Sequence, residues 1–228
     1  MVTTPRERAR ASTVADIKAE ARRQLARTGA AGLSLRAVAR ALGMVSSGVY
    51  HYVSSRDELL TLLIVDAYDR LAVAAERRQR AAGDGPREQW RAACAGIRAW
   101  ALANPHEYAL LYGSPVPGYA APEATVGPAT RVYRTLVGPV RQVGGRRRGR
   151  AARGLAPGLR ADAVTVAAEL GLDVEPDLIV RLLGAWTQLF GMVSFEVFGH
   201  THGVIEDHDA FFTAQVDALA DLLELPSR

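Results

Sequence analysis

Only one cysteine, Cys94, occurs in the 228 residues, so no disulfide can form within the chain. That fits a reducing compartment, and Cys94 reads as a small buried apolar residue on a helix rather than a reactive thiol. No uninterrupted apolar run reaches the roughly 18 residues of a membrane span. The opening MVTTPRERARAS has no apolar segment behind its arginines and is not a secretory signal. A cytoplasmic protein with no membrane partner is the expectation. A nucleophile or acid–base set for an enzyme is also missing. The nearest approach is GHTHGVIEDHD, residues 199–209, where His200, His202 and His208 stand with Glu206, Asp207 and Asp209. Imidazole and carboxylate together suit zinc or nickel, and the role of such a site would be metal sensing rather than catalysis. The plainer reading is a solvated turn between two helices, so no resident metal or cofactor is expected.

What is present is core-forming and unevenly charged. Hydrophobic residues make up 49% of the chain and charged ones 23%, an ordinary globular balance. Residues 1–60 carry ten Lys and Arg against five Asp and Glu, whereas the remainder carries eighteen against nineteen. A positive excess confined to the front is the footprint of a surface that meets phosphates.

That front contains LSLRAVARALGMVSSGVYHY, residues 33–52. Ser34 stands where its hydroxyl can cap a helix whose Leu35, Val38, Ala39 and Leu42 fall on one face. Gly43 follows, where a helix ends in a left-handed residue. A second short helix starts near Val45 or Ser46, with Ser46 or Ser47 as its cap and Val49 and Tyr52 inward. The small Ala39 lets two steeply crossing helices approach. The stretch reads as a helix-turn-helix; an ordinary helical hairpin is the alternative.

Around it the expectation is helices throughout. Residues 1–12 read as a disordered basic arm. Thr13 to Thr28 forms an amphipathic helix on Val14, Ile17, Ala21 and Leu25, ended by Gly29. Ser55 and Glu58 form a capping box that starts a long helix at Arg56. Further helices are expected over 87–103, 105–112, 123–143, with kinks or ends at its glycines and prolines, and 159–171. Residues 113–122 form a Pro/Gly loop and 144–154 a solvated basic linker. From Pro176 the most apolar helix carries Ile179, Leu183, Trp186, Phe190, Val193 and Val197 at alternating spacings of four and three, a heptad seam. Gly184 and Gly191 permit close backbone approach on one line. The last helix, about 207–223, offers Phe211, Phe212, Val216 and Leu219. Two such helices related by a two-fold axis would make a four-helix homodimer interface; a purely intramolecular core is the alternative.

The stretch from Val14 to Leu63, with TGAAGLSLRAVARALGM followed by GVYHYVSSRDELL, resembles the N-terminal domain of the TetR family of bacterial transcriptional regulators. EYALLYGSPVPGYAAP and GAWTQLFGMVSFEVFGH resemble the ligand-sensing domain of its WHG-type subgroup, with Phe190 where that subgroup often has histidine. The resemblance implies an all-α protein, with a three-helix DNA-binding domain over residues 1–58 and a helical regulatory and dimerisation domain over 59–228. It implies a regulator, a repressor in the first instance, that binds a palindromic operator in double-stranded DNA as a homodimer. A small apolar or aromatic effector would release it. In the major groove, Ser46 and Ser47 would meet bases or phosphates, and Gly48 would let the helix sit close. Tyr50 and His51 would hold phosphates, as those positions do in the family. Ser34 would present helix amides to another phosphate, Arg36 would reach a base or the backbone, and Arg56 the flanking strand. Effector contacts are expected from Trp100, Tyr108, Tyr112, Tyr133, Trp186 and Phe190. A nucleoid-type binder without sequence preference is the remaining alternative.

Overall fold

The computed structural model describes residues 4–144 and 154–226. Among them there are ten α-helices and no strand: α1 Pro5–Thr28, α2 Leu35–Ala41, α3 Ser46–Tyr50, α4 Arg56–Ala81, α5 Pro86–Ala103, α6 Pro105–Tyr112, α7 Val126–Gly144, α8 Pro157–Leu170, α9 Pro176–Val197 and α10 His208–Leu222. A single 3₁₀ turn, Glu123–Thr125, precedes α7. Two compact units result. One comprises the chain through Arg70 with Asn104–Ala129, and the other comprises Leu71–Ala103 with Thr130 onward. The first unit thus runs past residue 58 along the sequence and also gathers α6 and the following loop.

In the first unit Ile17, Ala21, Val38, Ala39, Val49, Val53, Leu59 and Leu60 form one core drawn from α1 to α4. Leu110, Val116 and Tyr119 pack on that core, and the Tyr119 hydroxyl lies 2.9 Å from Thr61 Oγ1. A three-helix reader buries little surface alone, so these additions supplement a small core.

The first residues differ from expectation. In place of a disordered arm through residue 12, α1 begins at Pro5. Thr4 Oγ1 accepts from the Glu7 amide at 3.2 Å, and Glu7 Oε2 accepts from the Thr4 amide at 2.7 Å. That is a complete capping box with proline at the first helical position. Gly29 ends the helix at φ 67°, as expected. Residues 145–153 of the basic linker lie outside the described residues.

In the second unit α9 packs with α5, α8 and α10. The Trp90 indole on α5 donates to the Val216 carbonyl of α10 at 3.1 Å. Among the described residues α9 alone is long and apolar enough to cross a membrane by length and composition. It carries Asp177, Arg181 and Glu196, and buries Ile179, Leu182, Ala185, Leu189, Phe190 and Val193.

α7 runs unbroken through Pro139, where kinks or ends were expected. Proline has no N–H for the carbonyl four residues earlier. That carbonyl, of Thr135, accepts instead from Gln79 Nε2 on α4 at 2.8 Å. Replacing Gln79 by methionine keeps the shape and orphans the carbonyl, at a cost of about 1–3 kcal/mol. Thermal melting should fall by about 2–10 °C. An unchanged midpoint would show that water serves the carbonyl equally well.

Candidate nucleic-acid interface

Five residues make too short a helix to persist alone, so α3 is held by its surroundings. Val49 is wholly buried and anchors it. Gly43, at φ 67°, turns the chain after α2, and the Met44 amide donates back to the Ala39 carbonyl at 2.9 Å. At the other end Ser55 Oγ accepts from the Glu58 amide at 3.0 Å, starting α4 as expected. The Glu58 carboxylate does not close the box on Ser55. It accepts from both the amide and the hydroxyl of Ser54, each at 2.6 Å, which holds Glu58 below the usual carboxylate range. Arg10 of α1 donates to the His51 carbonyl at 3.4 Å and lies over the Tyr52 ring.

The surface so fixed presents Ser46, Ser47, Tyr50 and His51 outward, with Gly48 half-buried between them. Neither serine caps the helix. Val45 is the N-cap residue and makes no side-chain cap bond, which forgoes the ~1 kcal/mol that a polar cap supplies. Ser34 does cap α2, accepting from the Ala37 amide at 3.4 Å. Arg36 and Arg40 are exposed one turn apart on α2. Arg40 escaped the sequence reading, although its spacing from Arg36 was the available signal. Lys18 and Arg22 are paired with Asp66, and Arg23 and Arg27 with Glu20. Arg56 is half-buried, and its guanidinium donates to the carbonyls of Ala30 at 3.0 Å and Ala31 at 3.4 Å. It holds the turn that feeds α2.

The six aromatic effector candidates divide between the units. In the first, Tyr112 meets Tyr68 edge-on at 6.1 Å and lies 5.0 Å from Tyr108. Burial raises the Tyr112 phenol above its ordinary value, with Tyr68 and Tyr108 adding to the shift. In the second, Trp186 bridges Tyr133, edge-on at 5.7 Å, and Phe190 at 5.9 Å. The buried Tyr133 hydroxyl has no hydrogen-bond partner, and burial pushes it up to about 12. Trp100 is buried on α5.

The heptad seam is split by the chain's own packing. Ile179, Val193, Phe212 and Leu219 are buried within this chain, and Leu183, Trp186, Val197 and Phe211 are half-buried. The outward residues of α9 include Gly184, Gly191 and Phe195, with Phe198 just beyond the helix and Leu222 on α10. Leu182, Ala185 and Leu189, which lie off the heptad, are buried as well, so the face packed within this chain overlaps the heptad only in part.

The metal reading is corrected. Among the described residues no three His, Cys, Asp or Glu side chains stand together as a metal site. His208 Nε2 lies 3.0 Å from Thr201 Oγ1, Asp207 caps α10 through the Ala210 amide at 2.8 Å, and Asp209 pairs with Arg98 at 2.6 Å. The His200 ring packs on Phe195. Residues adjacent in sequence are thus engaged with different neighbours.

An α2–turn–α3 pair with an exposed polar face, within the first sixty residues where the positive excess lies, defines a helix-turn-helix nucleic-acid-binding protein. Residues 17–63 match the family model described as bacterial regulatory proteins, tetR family. Residues 90–219 match the one described as tetracyclin repressor-like, C-terminal domain. The HTH-type transcriptional regulators Rv1816 of Mycobacterium tuberculosis (strain ATCC 25618 / H37Rv) and Mb1846 of Mycobacterium bovis are each 42% identical over 233 residues, which cover 96% of this chain and 95% of theirs. The solved structure of SCO4313, described there as a candidate regulatory protein, superposes with a TM-score of 0.78 at 32% identity, covering 96% of this chain and 100% of that one. A protein of unknown function from Rhodococcus sp. RHA1 superposes with a TM-score of 0.62 at 25% identity, over 89% of this chain and 91% of that one. The chain belongs to the TetR family of bacterial transcriptional regulators.

Two arginines should separate by phenotype. Arg36→Ala removes an exposed side chain, so the melting temperature should stay within about 2 °C, while DNA affinity falls and the salt slope drops by about one. Arg56→Ala removes two internal hydrogen bonds and should lower melting by about 2–6 °C. Equal melting with equal affinity loss would make Arg56 a plain phosphate contact.

Proposed function

We propose that this chain is a repressor that binds a palindromic operator as a homodimer and is released by a small apolar or aromatic effector. The supporting observation is the exposed face of α3, held by Val49 beneath it, within the first sixty residues that carry the positive excess. Ser46, Ser47 and Gly48 face bases, Tyr50 and His51 hold phosphates, and the start of α2 at Ser34 receives another. Arg36, with Arg40 beside it, adds a base or backbone contact, and Arg56 acts by holding the Ala30–Ala31 turn. The reading places the protein in the cytoplasm, with the chromosome.

The dimer forms through the outward residues of α9 and α10. The backbone is bare at Gly184 and Gly191, where an added Cβ would meet nothing within 4 Å. Phe195, Phe198 and Leu222 are exposed. A bare line flanked by apolar side chains is what a close, two-fold helix pairing requires.

The effector seats against Tyr133, Trp186 and Phe190, in the manner of the WHG-type subgroup. Phe190 stands where a histidine would offer a polar contact, leaving the Tyr133 hydroxyl as the polar group. The ligand is therefore mostly apolar with a hydrogen-bond acceptor. Release needs only that it bind unequally to conformations with different reader separations.

Selection of bound duplexes from a random pool, at near-physiological salt, should enrich a palindrome with half-site centres about one helical turn or a multiple apart. A pool without an enriched palindrome would contradict the reading. Phe195→Glu should reduce the mass by light scattering to the 24.5 kDa of one chain with helicity unchanged; a persistent dimer would move the interface elsewhere.

A further inference from the structure

The larger aliphatic side chains around the turn, Val45 apart, serve the core. Leu33, Leu35, Val38, Ala39, Val49 and Val53 are buried, and Leu42, Met44 and Tyr52 pack against them. Val45 does not: it is 73% exposed, at the N-cap immediately before α3. Its place is also an odd one for valine. The N-cap is where Ser, Thr, Asp or Asn would accept a bond from a free amide of the first turn. Val45 leaves those amides without a side-chain partner and buries little in return, so the fold gains no cap and little packing. A side chain that breaks a local rule without structural benefit marks a place where something outside the fold is met.

What it meets follows from where it stands. The N-terminal residues of a recognition helix are the ones brought to base edges. The major-groove edges of the four base pairs carry hydrogen-bond donors, acceptors and one apolar group, the C5-methyl of thymine. The site is also sterically open. Gly48, one turn on, has no side chain, and a Cβ there would touch Val45 Cγ2 at 3.5 Å. The valine methyls therefore lie beside bare backbone, with no longer side chain from position 48 reaching past them. We propose that Val45 is a specificity-determining residue that reads a thymine methyl in each operator half-site, taking the place of a capping side chain. Ser46 and Ser47 then read polar edges at neighbouring base pairs, so the sequence preference is set jointly by a methyl contact and short hydroxyls. The proposal rests on the operator-binding reading above and adds to it the base that one residue recognises.

The test uses the full chain and the selected operator, with each thymine replaced in turn by deoxyuridine, which removes only the methyl. Binding is titrated by fluorescence anisotropy at fixed salt for the wild type, Val45→Ala and Val45→Ser. In the wild type, uracil at one symmetry-related position should weaken binding roughly fourfold per half-site, the worth of one buried methyl group. Val45→Ala should bind thymine and uracil operators within about twofold of each other. Val45→Ser should lose the same discrimination while melting at a higher temperature than the wild type, because it gains a cap. A residue with only a structural role cannot show stability and discrimination moving in opposite directions. Uracil operators that bind the wild type as tightly as thymine ones, or a Val45→Ala chain that keeps the full penalty, overturn the proposal while leaving operator binding intact. A pool with no enriched palindrome overturns both.

Discussion

Val49 beneath a five-residue helix is the contact on which the interface depends. A helix of that length has more unsatisfied backbone groups than internal bonds, and its orientation is whatever its anchors impose. Val49 fixes its depth against Val38 and Ala39, Gly43 fixes its angle to α2, and the Ser54–Glu58 pair fixes the exit into α4. Each is local, so the reader surface is set by a few contacts within one small core. The exposed face can then vary in chemistry without disturbing what supports it.

Electrostatics around that core is sorted rather than simply positive. On α1, Lys18 and Arg22 share the one carboxylate of Asp66, and Arg23 and Arg27 share that of Glu20. Arg36 and Arg40 on α2 stay outward. Exposed positive charge at the front of the chain is thus kept by Arg36 and Arg40 on α2 together with Arg6 and Arg8 at the start of α1. Arg56 belongs to the supporting set, since its hydrogen bonds end on main-chain carbonyls of the turn before α2.

Local chemistry made much of this visible in the sequence. Ser34, Gly29, Gly43 and Ser55 cap or turn the chain through interactions spanning three or four residues, and such signals survive in any tertiary context. The TetR resemblance was legible for the same reason, because its motif is a run of those signals at fixed spacing. The start of α1 was equally present in Thr4, Pro5 and Glu7, but the arginines around them suggested a solvated arm.

Questions of facing were not legible. α9 is apolar on two sides, and only the packing of α5, α8 and α10 decides that Ile179 and Val193 turn inward while Gly184, Gly191 and Phe195 turn out. The histidines and acids of 200–209 looked like ligands by spacing, yet His200, Asp207, His208 and Asp209 each engage a different neighbour once the turn folds. Pro139 looked like a break because its compensation, Gln79, lies about sixty residues away along the chain. The facing of α9 and the partner of the Thr135 carbonyl depend on contacts distant in sequence, where periodicity carries no information. The central claim, that α3 enters the major groove twice per bound dimer, is tested most directly by dimethyl sulfate protection of the selected operator. Guanine N7 faces the major groove and adenine N3 the minor. The account predicts protected guanines in two patches about one helical turn or a multiple apart, with adenines left reactive. Protection confined to adenine N3, or to a single patch, would contradict it.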